Sequence, residues 1–321
     1  MFSRRTFAAA LAGAASVRWP AIAQELKTVA VTAIVEHPAL DAARRGIRDE
    51  LAAAGYQEGH NLDLLFESAQ GSPAIAAQIA RRFVDEAPDV VVPISTPSAQ
   101  AVVGATKEIP VVFTAVTDPV GARLVANLER PGGNVTGVSD RSPIGLQLEL
   151  IRGIMPAARR LGVIYNPGEA NSVTLIELLR QEAPVRGLEI VEALAPRPAD
   201  VLPAAEGLVG KVDAIYVPTD NTVVTALEAV VNVGTDNRLP VFAGDTDAVP
   251  RGAVAALGFN YYDLGRQTGK IVARVLEGAK PGDIPVQGVQ ITELYLNPGA
   301  AAAMGVSIPQ ELLERAKFMV D

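Results

Sequence analysis

The sequence predicts an α/β protein of two Rossmann-like lobes, each built on a parallel sheet, joined by a hinge at which the chain crosses three times. Residues 89–118 and 213–245 share one pattern: a short apolar run ending in Pro and hydroxyl or Asx residues, a helical stretch, and an apolar run ending in Thr-Asp or Gly-Asp. Each copy is typical of a βαβ unit. Strand and helix patterns alternate elsewhere too, as in parallel sheets with helices on both faces. With 321 residues, the chain exceeds one average domain.

The composition fits this class and argues against several others. The chain is 49% apolar but only 5% aromatic, as expected of α/β layers rich in Ala, Val and Leu. Its formal net charge of −8 argues against a surface for nucleic acid or anionic membranes. The sequence contains no cysteine, which excludes disulfides, thiolate nucleophiles and Cys-based metal sites. We expect no cofactor.

Residues 1–23 have the features of an export signal. Two arginines at 4–5 precede an apolar run at 7–17, and a small-x-small cleavage sequence follows at 21–23. The apolar run is well short of the roughly 20 residues that a membrane-spanning helix needs. We expect cleavage after Ala23 and export by the twin-arginine or the ordinary secretory route.

The first half of the mature chain predicts strands that alternate with helices. Ser72 and Pro73 have the order of an N-cap and a first helical residue, and Gly55 ends the preceding helix. The predicted strands lie at 27–34, at 61–68 and from 89 onwards, and the predicted helices lie at 38–54 and 72–86.

The Pro- and Gly-rich segment 130–134 interrupts this alternation, and a second alternation follows. Its predicted strands lie at 161–166, 188–194, 213–218 and 240–244, and its predicted helices lie at 142–154, 172–182, 199–209 and 221–233. An apolar run at 253–259 and an amphipathic helix at 261–277 are interpreted as a return to the first lobe. The tail, with a strand at 291–296, is expected to close on the second lobe.

These elements predict crossings near Ser139, Phe259 and Gln287, which would form a hinge between two rigid bodies. After the signal at 1–23, the predicted first lobe comprises 24–139 and 259–287. The predicted second lobe comprises 140–258 and 288–321.

A candidate site for a carboxylate lies at the start of the helix after residue 94. Thr96, Pro97, Ser98 and Ala99 have the order of a cap, Pro at the first helical position, and two residues whose N–H groups lack an intrahelical partner. The Thr96 and Ser98 hydroxyls add two donors. Plain helix capping explains the same residues.

Carboxylates follow three predicted strands at what should be the same edge. Asp118, Asp220 and Asp245 could each pair with a ligand ammonium through charge-assisted hydrogen bonds. Each could equally be an N-cap or an Asx turn. Together with the helix start at Thr96, they predict a site for a zwitterion.

Enzyme motifs are poorly supported. The first strand runs into Glu36, His37 and Pro38 without the glycines of a dinucleotide fingerprint. Residues 265–270 resemble a phosphate loop only superficially, because they lie within a predicted helix. With His37 and His60 as the only histidines, a zinc site or hydrolase triad lacks support. His37 is expected to be a loop residue, with a place in the wall of the cleft as the alternative.

Several ordered segments resemble the tryptophan/tyrosine-type substrate-binding proteins of bacterial ABC importers. The segments include VEHPALDAARRGIRDELAAAGYQEGHNL, STPSAQAVVGATKEIPVVFTAVTDPVGARLV, RPGGNVTGVSD, PTDNTVV, VFAGDTD and ALGFNYYDLGRQTGK. The resemblance implies a type I periplasmic binding protein fold, a ligand like an amino acid and an ABC permease as partner. Because the chain lacks a lipobox cysteine, we expect a free periplasmic protein, acting as a monomer.

The resemblance places the ligand carboxylate on Thr96, Ser98 and the Ala99 amide, and the ammonium near Asp220, Asn221 and Asp245. The full predicted ligand-binding set is Glu36, Thr96, Ser98, Ala99, Asp118, Asp220, Asn221, Asp245 and Asn260.

The predicted ligand is an apolar, aromatic L-amino acid, because no Arg or Lys adjoins the predicted site to meet a charged side chain. Phe113, Tyr216, Phe259 and Tyr261 lie near strand ends and could stack on a ring. They could instead be core residues, which is the favoured interpretation of Phe113, and a branched aliphatic ligand would then fit as well. A ligand sensor, or an enzyme acting through Asp220 and Asp245, is the alternative function.

Overall fold

A computed structural model describes residues 26–289 and 292–320. The predicted signal at 1–23 and its cleavage site lie outside the described residues, as does the predicted start of the last strand at Ile291. None of the helices in the described ranges combines the length and apolar character needed to cross a bilayer.

The first sheet has six strands, all parallel, in the order β11-β5-β4-β3-β1-β2. They are β1 (Lys27–Ala33), β2 (Leu62–Ser68), β3 (Val90–Ile94), β4 (Val111–Val116), β5 (Val135–Ser139) and β11 (Gln287–Gly288). β1, β3, β4 and β5 are almost wholly buried, as is typical of a parallel sheet covered on both faces.

Four helices belong to this sheet: α1 (Pro38–Ala53), α2 (Pro73–Glu86), α3 (Thr96–Ala105) and α9 (Tyr261–Leu276). α1 and α9 pack closely because glycines leave room for the facing backbone. A Cβ atom at Gly46 would overlap the Tyr262 carbonyl, and one at Gly265 would overlap the Ala43 carbonyl. The segment 265–270 is therefore a helix-packing face, as the sequence predicted.

The second sheet has seven strands in the order β13-β12-β10-β9-β8-β6-β7, with only the β10–β12 pair antiparallel. They are β6 (Arg160–Tyr165), β7 (Glu189–Leu194), β8 (Ala214–Val217), β9 (Val241–Ala243), β10 (Ala255–Gly258), β12 (Glu293–Leu296) and β13 (Phe318–Met319). The tail closes on this sheet, as predicted.

The second sheet's helices are α4 (Ile144–Ile154), α5 (Ala170–Glu182), α6 (Val201–Glu206), α7 (Asn221–Thr225), α8 (Leu227–Asn237), α10 (Pro298–Ala303) and α11 (Gln310–Arg315). The single helix predicted at 221–233 is wrong: it is broken at Ala226, whose φ of −111° and ψ of 27° end α7. The helix predicted at 199–209 is shorter than expected.

The strands confirm the predicted α/β class with two mostly parallel sheets. We call the first sheet with its helices the first lobe, and the second sheet with its helices the second lobe. The chain passes from the first sheet to the second after β5, returns after β10 through α9, and passes again after β11. The residue boundaries of the lobes and their rotation about these crossings remain predictions.

Candidate ligand-binding site

A cavity lies between the carboxyl ends of the two sheets. About 330 Å³ of space in and around it is not filled by atoms, part of it open to solvent. Its walls come from segments at the ends of β1, β3, β4 and β5 in the first lobe, from those after β6, β8 and β9 in the second, and from the start of α9. Parallel sheets commonly bind ligands at such strand ends.

The N-terminus of α3 supplies hydroxyl groups on the side of the first lobe. The hydroxyls of Ser95, Thr96 and Ser98 are buried and have no hydrogen-bond partner within the described part of the chain. Ser95 lines the cavity directly. Because the first N–H groups of a helix also lack intrahelical partners and carry positive partial charge, this end can receive an anion.

The start of α3 differs from the prediction by one residue. Ser95 is the N-cap and Thr96 is the first helical residue. The Ala99 N–H consequently donates to the Ser95 carbonyl at 3.0 Å, so it is not free for a ligand carboxylate. Ser95 has φ 78° and ψ 159°, a region that is essentially restricted to glycine. This strained residue lies at the cavity wall.

Asp220 lines the cavity, but its carboxylate is already fully engaged. Oδ1 accepts from the Val223 N–H at 2.8 Å. Oδ2 accepts from the Asn166 N–H at 2.7 Å and from the Ser172 hydroxyl at 2.6 Å. Burial and the nearby Glu169 carboxylate raise the pKa of Asp220. Asp220 therefore holds two loops of the second lobe together.

Asp245 is the carboxylate with spare capacity. Oδ1 accepts from the Ala248 N–H at 3.0 Å, whereas Oδ2 is buried and has no partner among the described residues. Burial first, then the charge of Asp247, raises the pKa of Asp245 to about 7. A buried acceptor without a donor is costly unless a ligand supplies one.

Glu169, which sequence reasoning missed, fixes the α7 end of the cavity. Its side chain is buried and accepts from the Asn171 amide, the Asn221 amide and the Thr222 hydroxyl. Asn221, a predicted ligand residue, thus lines the cavity while its amide nitrogen donates to Glu169. The Asx-rich run after β6 was the available signal, but its approach to α7 is a tertiary contact.

Asp140 was also missed, and it lies where the chain leaves the first sheet. Its oxygens accept from the Thr117 hydroxyl at 3.0 Å and from the Tyr261 hydroxyl at 2.9 Å. Burial raises the pKa of Asp140. All three residues line the cavity, so the wall here joins β4, β5 and α9.

Six of the nine predicted ligand residues do not line the cavity, and only Asp220, Asn221 and Asp245 do. Thr96, Ser98 and Ala99 belong to the first turn of α3, behind Ser95. The other three lie elsewhere. The Asp118 carboxylate caps a turn by accepting from the Gly121 N–H at 2.9 Å. Glu36 is exposed to solvent. Asn260 caps α9, its side-chain oxygen accepting from two N–H groups of the first turn. The cavity is lined instead by residues next to Glu36, Asp118 and Asn260. The side chains of these three residues are turned towards solvent or towards their own helix or turn.

His37 was expected to be a loop residue, and it does precede α1, but it also lines the cavity. Its side chain is buried and hydrogen-bonded to the Asn221 side chain. Burial, followed by the charge of Arg251, lowers the pKa of His37 to about 3. The imidazole is therefore neutral at neutral pH.

Of the four predicted aromatic residues, only Tyr261 lines the cavity. Phe113 is fully buried in the core of the first lobe, as the sequence favoured. Tyr216 is buried in the second lobe and donates to Gln147 at 2.6 Å. Phe259 packs on Tyr261 with ring centroids 5.5 Å apart. The remaining apolar wall consists of small and branched aliphatic residues, namely Ala39, Leu40, Ala115 and Val224.

Two lobes on parallel sheets that enclose a polar cavity between facing strand ends define a ligand-binding protein of the periplasmic type. The chain belongs to the ABC transporter substrate binding protein family, whose model matches residues 28–320. This family binds substrates and is not a catalytic one.

The chain is 41% identical over 278 residues to the tyrosine-binding protein of Clostridioides difficile (strain R20291), covering 87% of this chain and 81% of that protein. Its structure superposes on an ABC domain in complex with L-Trp from Streptococcus pneumonia with a TM-score of 0.89 at 35% identity. That match covers 92% of this chain and 100% of the other.

A ligand-free, open structure of a substrate binding protein with adhesive properties from Clostridium difficile is 38% identical, and the match covers 91% of this chain and 99% of that one. Its TM-score is lower, 0.69. Sequence identity does not account for this difference, because the two structures are about equally related to the chain.

Proposed function

We propose that this protein binds an aromatic L-amino acid of the tyrosine or tryptophan kind outside the cytoplasm and delivers it to the permease of an ABC importer. One observation carries the proposal. A single cavity has an anion-accepting helix N-terminus on the side of the first lobe and, on the side of the second, the unpartnered carboxylate oxygen of Asp245.

The carboxylate of the ligand binds at α3. Ser95 contributes a hydroxyl donor at the cavity wall. The helix N-terminus, which also holds the unpartnered hydroxyls of Thr96 and Ser98, contributes positive partial charge without a buried cation. A buried cationic side chain would have to be paired with an acid, or it would bind any anion strongly. Neutral donors instead favour a carboxylate whose charge is balanced by a positive group in the same ligand. That requirement fits a zwitterion.

The ammonium of the ligand binds at Asp245. Among the carboxylates that line the cavity, Asp140 and Asp220 have both oxygens engaged, and only Asp245 has one oxygen left without a donor. An ammonium placed there forms a charge-assisted hydrogen bond. It also lowers the pKa of Asp245, because it favours the ionised form.

The side chain of the ligand lies against the apolar wall. Tyr261 presents its ring, and Ala39, Leu40 and Val224 present aliphatic groups. Aromatic contacts of this kind add about 0.5–1.5 kcal/mol beyond burial of apolar area. The printed names of the two relatives, one binding tyrosine and one in complex with L-Trp, support an aromatic ligand.

The lobes close on the ligand. The closer superposition on the L-Trp complex than on the ligand-free, open structure supports a closed arrangement of the two lobes in this structure. Ligand favours this form because only here do both lobes contact it. Small-angle scattering should show a smaller radius of gyration with ligand than without, and an unchanged radius with a ligand that binds would contradict closure.

The test of the function is calorimetric titration of the purified protein with L-tyrosine, L-tryptophan, L-phenylalanine, L-leucine and L-glutamate. We expect tight binding of at least one aromatic amino acid, weaker binding of leucine and none of glutamate. In a thermal-shift assay, a ligand at about 100 times its dissociation constant adds about 2.7 kcal/mol to stability. Binding of glutamate alone would contradict the proposal, and turnover of any bound amino acid would contradict a purely binding role.

A further inference from the structure

His37 is a polar residue in the part of the cavity wall that also contains the apolar residues of α1. It precedes Ala39 and Leu40 at the start of α1, and all three line the cavity. From the second lobe, Val224 meets the same region: Arg251 donates to the Val224 carbonyl at 2.8 Å and also acts electrostatically on His37. The imidazole therefore lines the same cavity as the aliphatic groups that would contact the ligand side chain.

The hydrogen bonds around His37 define which ring nitrogen carries the proton. The hydrogen bond with the Asn221 side chain raises the pKa of His37, which is the effect of a bond that the imidazole donates to the Asn221 side-chain oxygen. A neutral imidazole that donates through one nitrogen presents the other as an acceptor. Nδ1 is buried and has no partner among the described residues. Nε2 therefore carries the proton, and Nδ1 is a bare acceptor.

We propose that His37 Nδ1 accepts a hydrogen bond from a donor on the ring of the bound amino acid, so that the site selects ring O–H or N–H groups over an unsubstituted ring. The tyrosine phenol and the tryptophan indole have such a donor, and phenylalanine does not. This inference rests on the proposed function, and it goes further by naming the residue that discriminates among aromatic ligands.

The selectivity follows from desolvation. Binding of phenylalanine leaves the buried Nδ1 atom without water and without a partner, whereas tyrosine or tryptophan supplies the missing donor. A buried acceptor left unpaired in this way weakens binding roughly 10- to 100-fold. Phenylalanine should therefore bind that much more weakly than the better of the two donor-bearing ligands.

The experiment is calorimetric titration of the wild type, His37→Leu and His60→Leu with L-tyrosine, L-tryptophan and L-phenylalanine. His60 is exposed and lies away from the cavity, so its variant controls for loss of a histidine. In His37→Leu, the preference for the donor-bearing ligands over phenylalanine should fall to within about threefold, while His60→Leu retains it. A purely structural role of His37 would weaken all three ligands equally and leave the preference unchanged.

A spectroscopic measurement keeps the test decisive if His37→Leu does not fold. The sequence has only two histidines, so ¹⁵N-histidine spectra of the wild type and His60→Gln assign the His37 nitrogens. The bare Nδ1 resonance should shift on addition of tyrosine or tryptophan and move little with phenylalanine. Equal affinities of the wild type for all three ligands, or a protonated Nδ1, would overturn the inference alone. Failure of all three to bind would overturn the proposed function as well.

Discussion

The two strand-to-helix junctions that look like copies in the sequence differ in how their polar groups are used. After β3, the hydroxyls of Ser95, Thr96 and Ser98 are buried without partners in the described structure. After β8, Asp220 accepts three hydrogen bonds, and Glu169 caps the same helix from a neighbouring loop.

The difference teaches that a polar residue at a strand end is available to a ligand only when the local fold does not already use it. The first junction keeps its donors for a ligand and holds Ser95 in a strained conformation. At the second junction, the acceptors form hydrogen bonds that join neighbouring loops. In the second lobe a free carboxylate oxygen instead belongs to Asp245, one strand further along the sheet.

The largest effect is expected from removing the free carboxylate oxygen of Asp245. Asp245→Ala should weaken binding of L-tyrosine or L-tryptophan by roughly 2–5 kcal/mol, because the ligand ammonium is then buried without a counter-charge. Calorimetry measures the loss. Asp118→Ala is the matched control, since that carboxylate caps a turn outside the cavity and its removal should leave affinity unchanged. Equal effects of the two substitutions would refute the assignment.

The second effect separates structural from ligand-binding carboxylates. Asp220→Ala leaves two N–H groups and one hydroxyl without their acceptor, which should lower the free energy of unfolding by about 2–4 kcal/mol without ligand. Asp245→Ala removes one such acceptor but also the buried, unpartnered Oδ2, so it should change stability by less than about 1 kcal/mol. Urea denaturation of both variants measures the difference, and the reverse ranking would contradict the comparison.

Much of the fold was predictable because it depends on local patterns. Apolar runs, caps such as Ser72 and the placement of Asp220 and Asp245 after strands are readable from neighbouring residues. Glu169, Asp140 and His37 were not, because their roles depend on loops that approach from distant parts of the chain.

The prediction of the site was also wrong by one residue at two positions. Asp118 was preferred to its neighbour Thr117, and Glu36 to its neighbour His37, yet in both cases only the neighbour lines the cavity. In each pair the acidic residue was chosen because of its charge, although its neighbour lines the cavity. Which side chain points inwards is decided by where the strand stops, and pattern reasoning places that to within a residue or two.

The third prediction concerns pH. Because the pKa of Asp245 is about 7 in the ligand-free fold and ammonium binding needs the carboxylate, affinity should fall as pH drops below about 7, by up to tenfold per unit. The stability of the ligand-free protein has the opposite sign. A raised pKa makes the protonated group favourable to folding, and that contribution is full below the unfolded pKa of about 3.8 and is lost as pH rises through about 7.

Titrations between about pH 5 and about pH 8 with the wild type and Asp245→Asn measure this. Asp220 also has a raised pKa, so the comparison with Asp245→Asn isolates the contribution of Asp245. A pH dependence that survives in Asp245→Asn would assign the titration to another group.

The smallest effect is expected from substitutions of Ser95, at the junction after β3. Ser95→Gly relieves a backbone conformation that only glycine adopts readily, which should raise stability by about 1 kcal/mol after the entropy of the more flexible unfolded chain is subtracted. Affinity should nevertheless fall, because a hydroxyl donor is lost. Ser95→Ala is the control: it loses the same donor but keeps the strain, so it should lower affinity without raising stability.

The central claim is that the unpartnered oxygen of Asp245 receives the ligand ammonium. Its most direct test compares, by calorimetry on the wild-type protein, L-tyrosine with 3-(4-hydroxyphenyl)propanoate, which has the same ring and carboxylate but no ammonium. We predict that tyrosine binds tighter by roughly 30-fold or more, because only tyrosine pairs the buried carboxylate. Equal affinities for the two compounds would contradict the account.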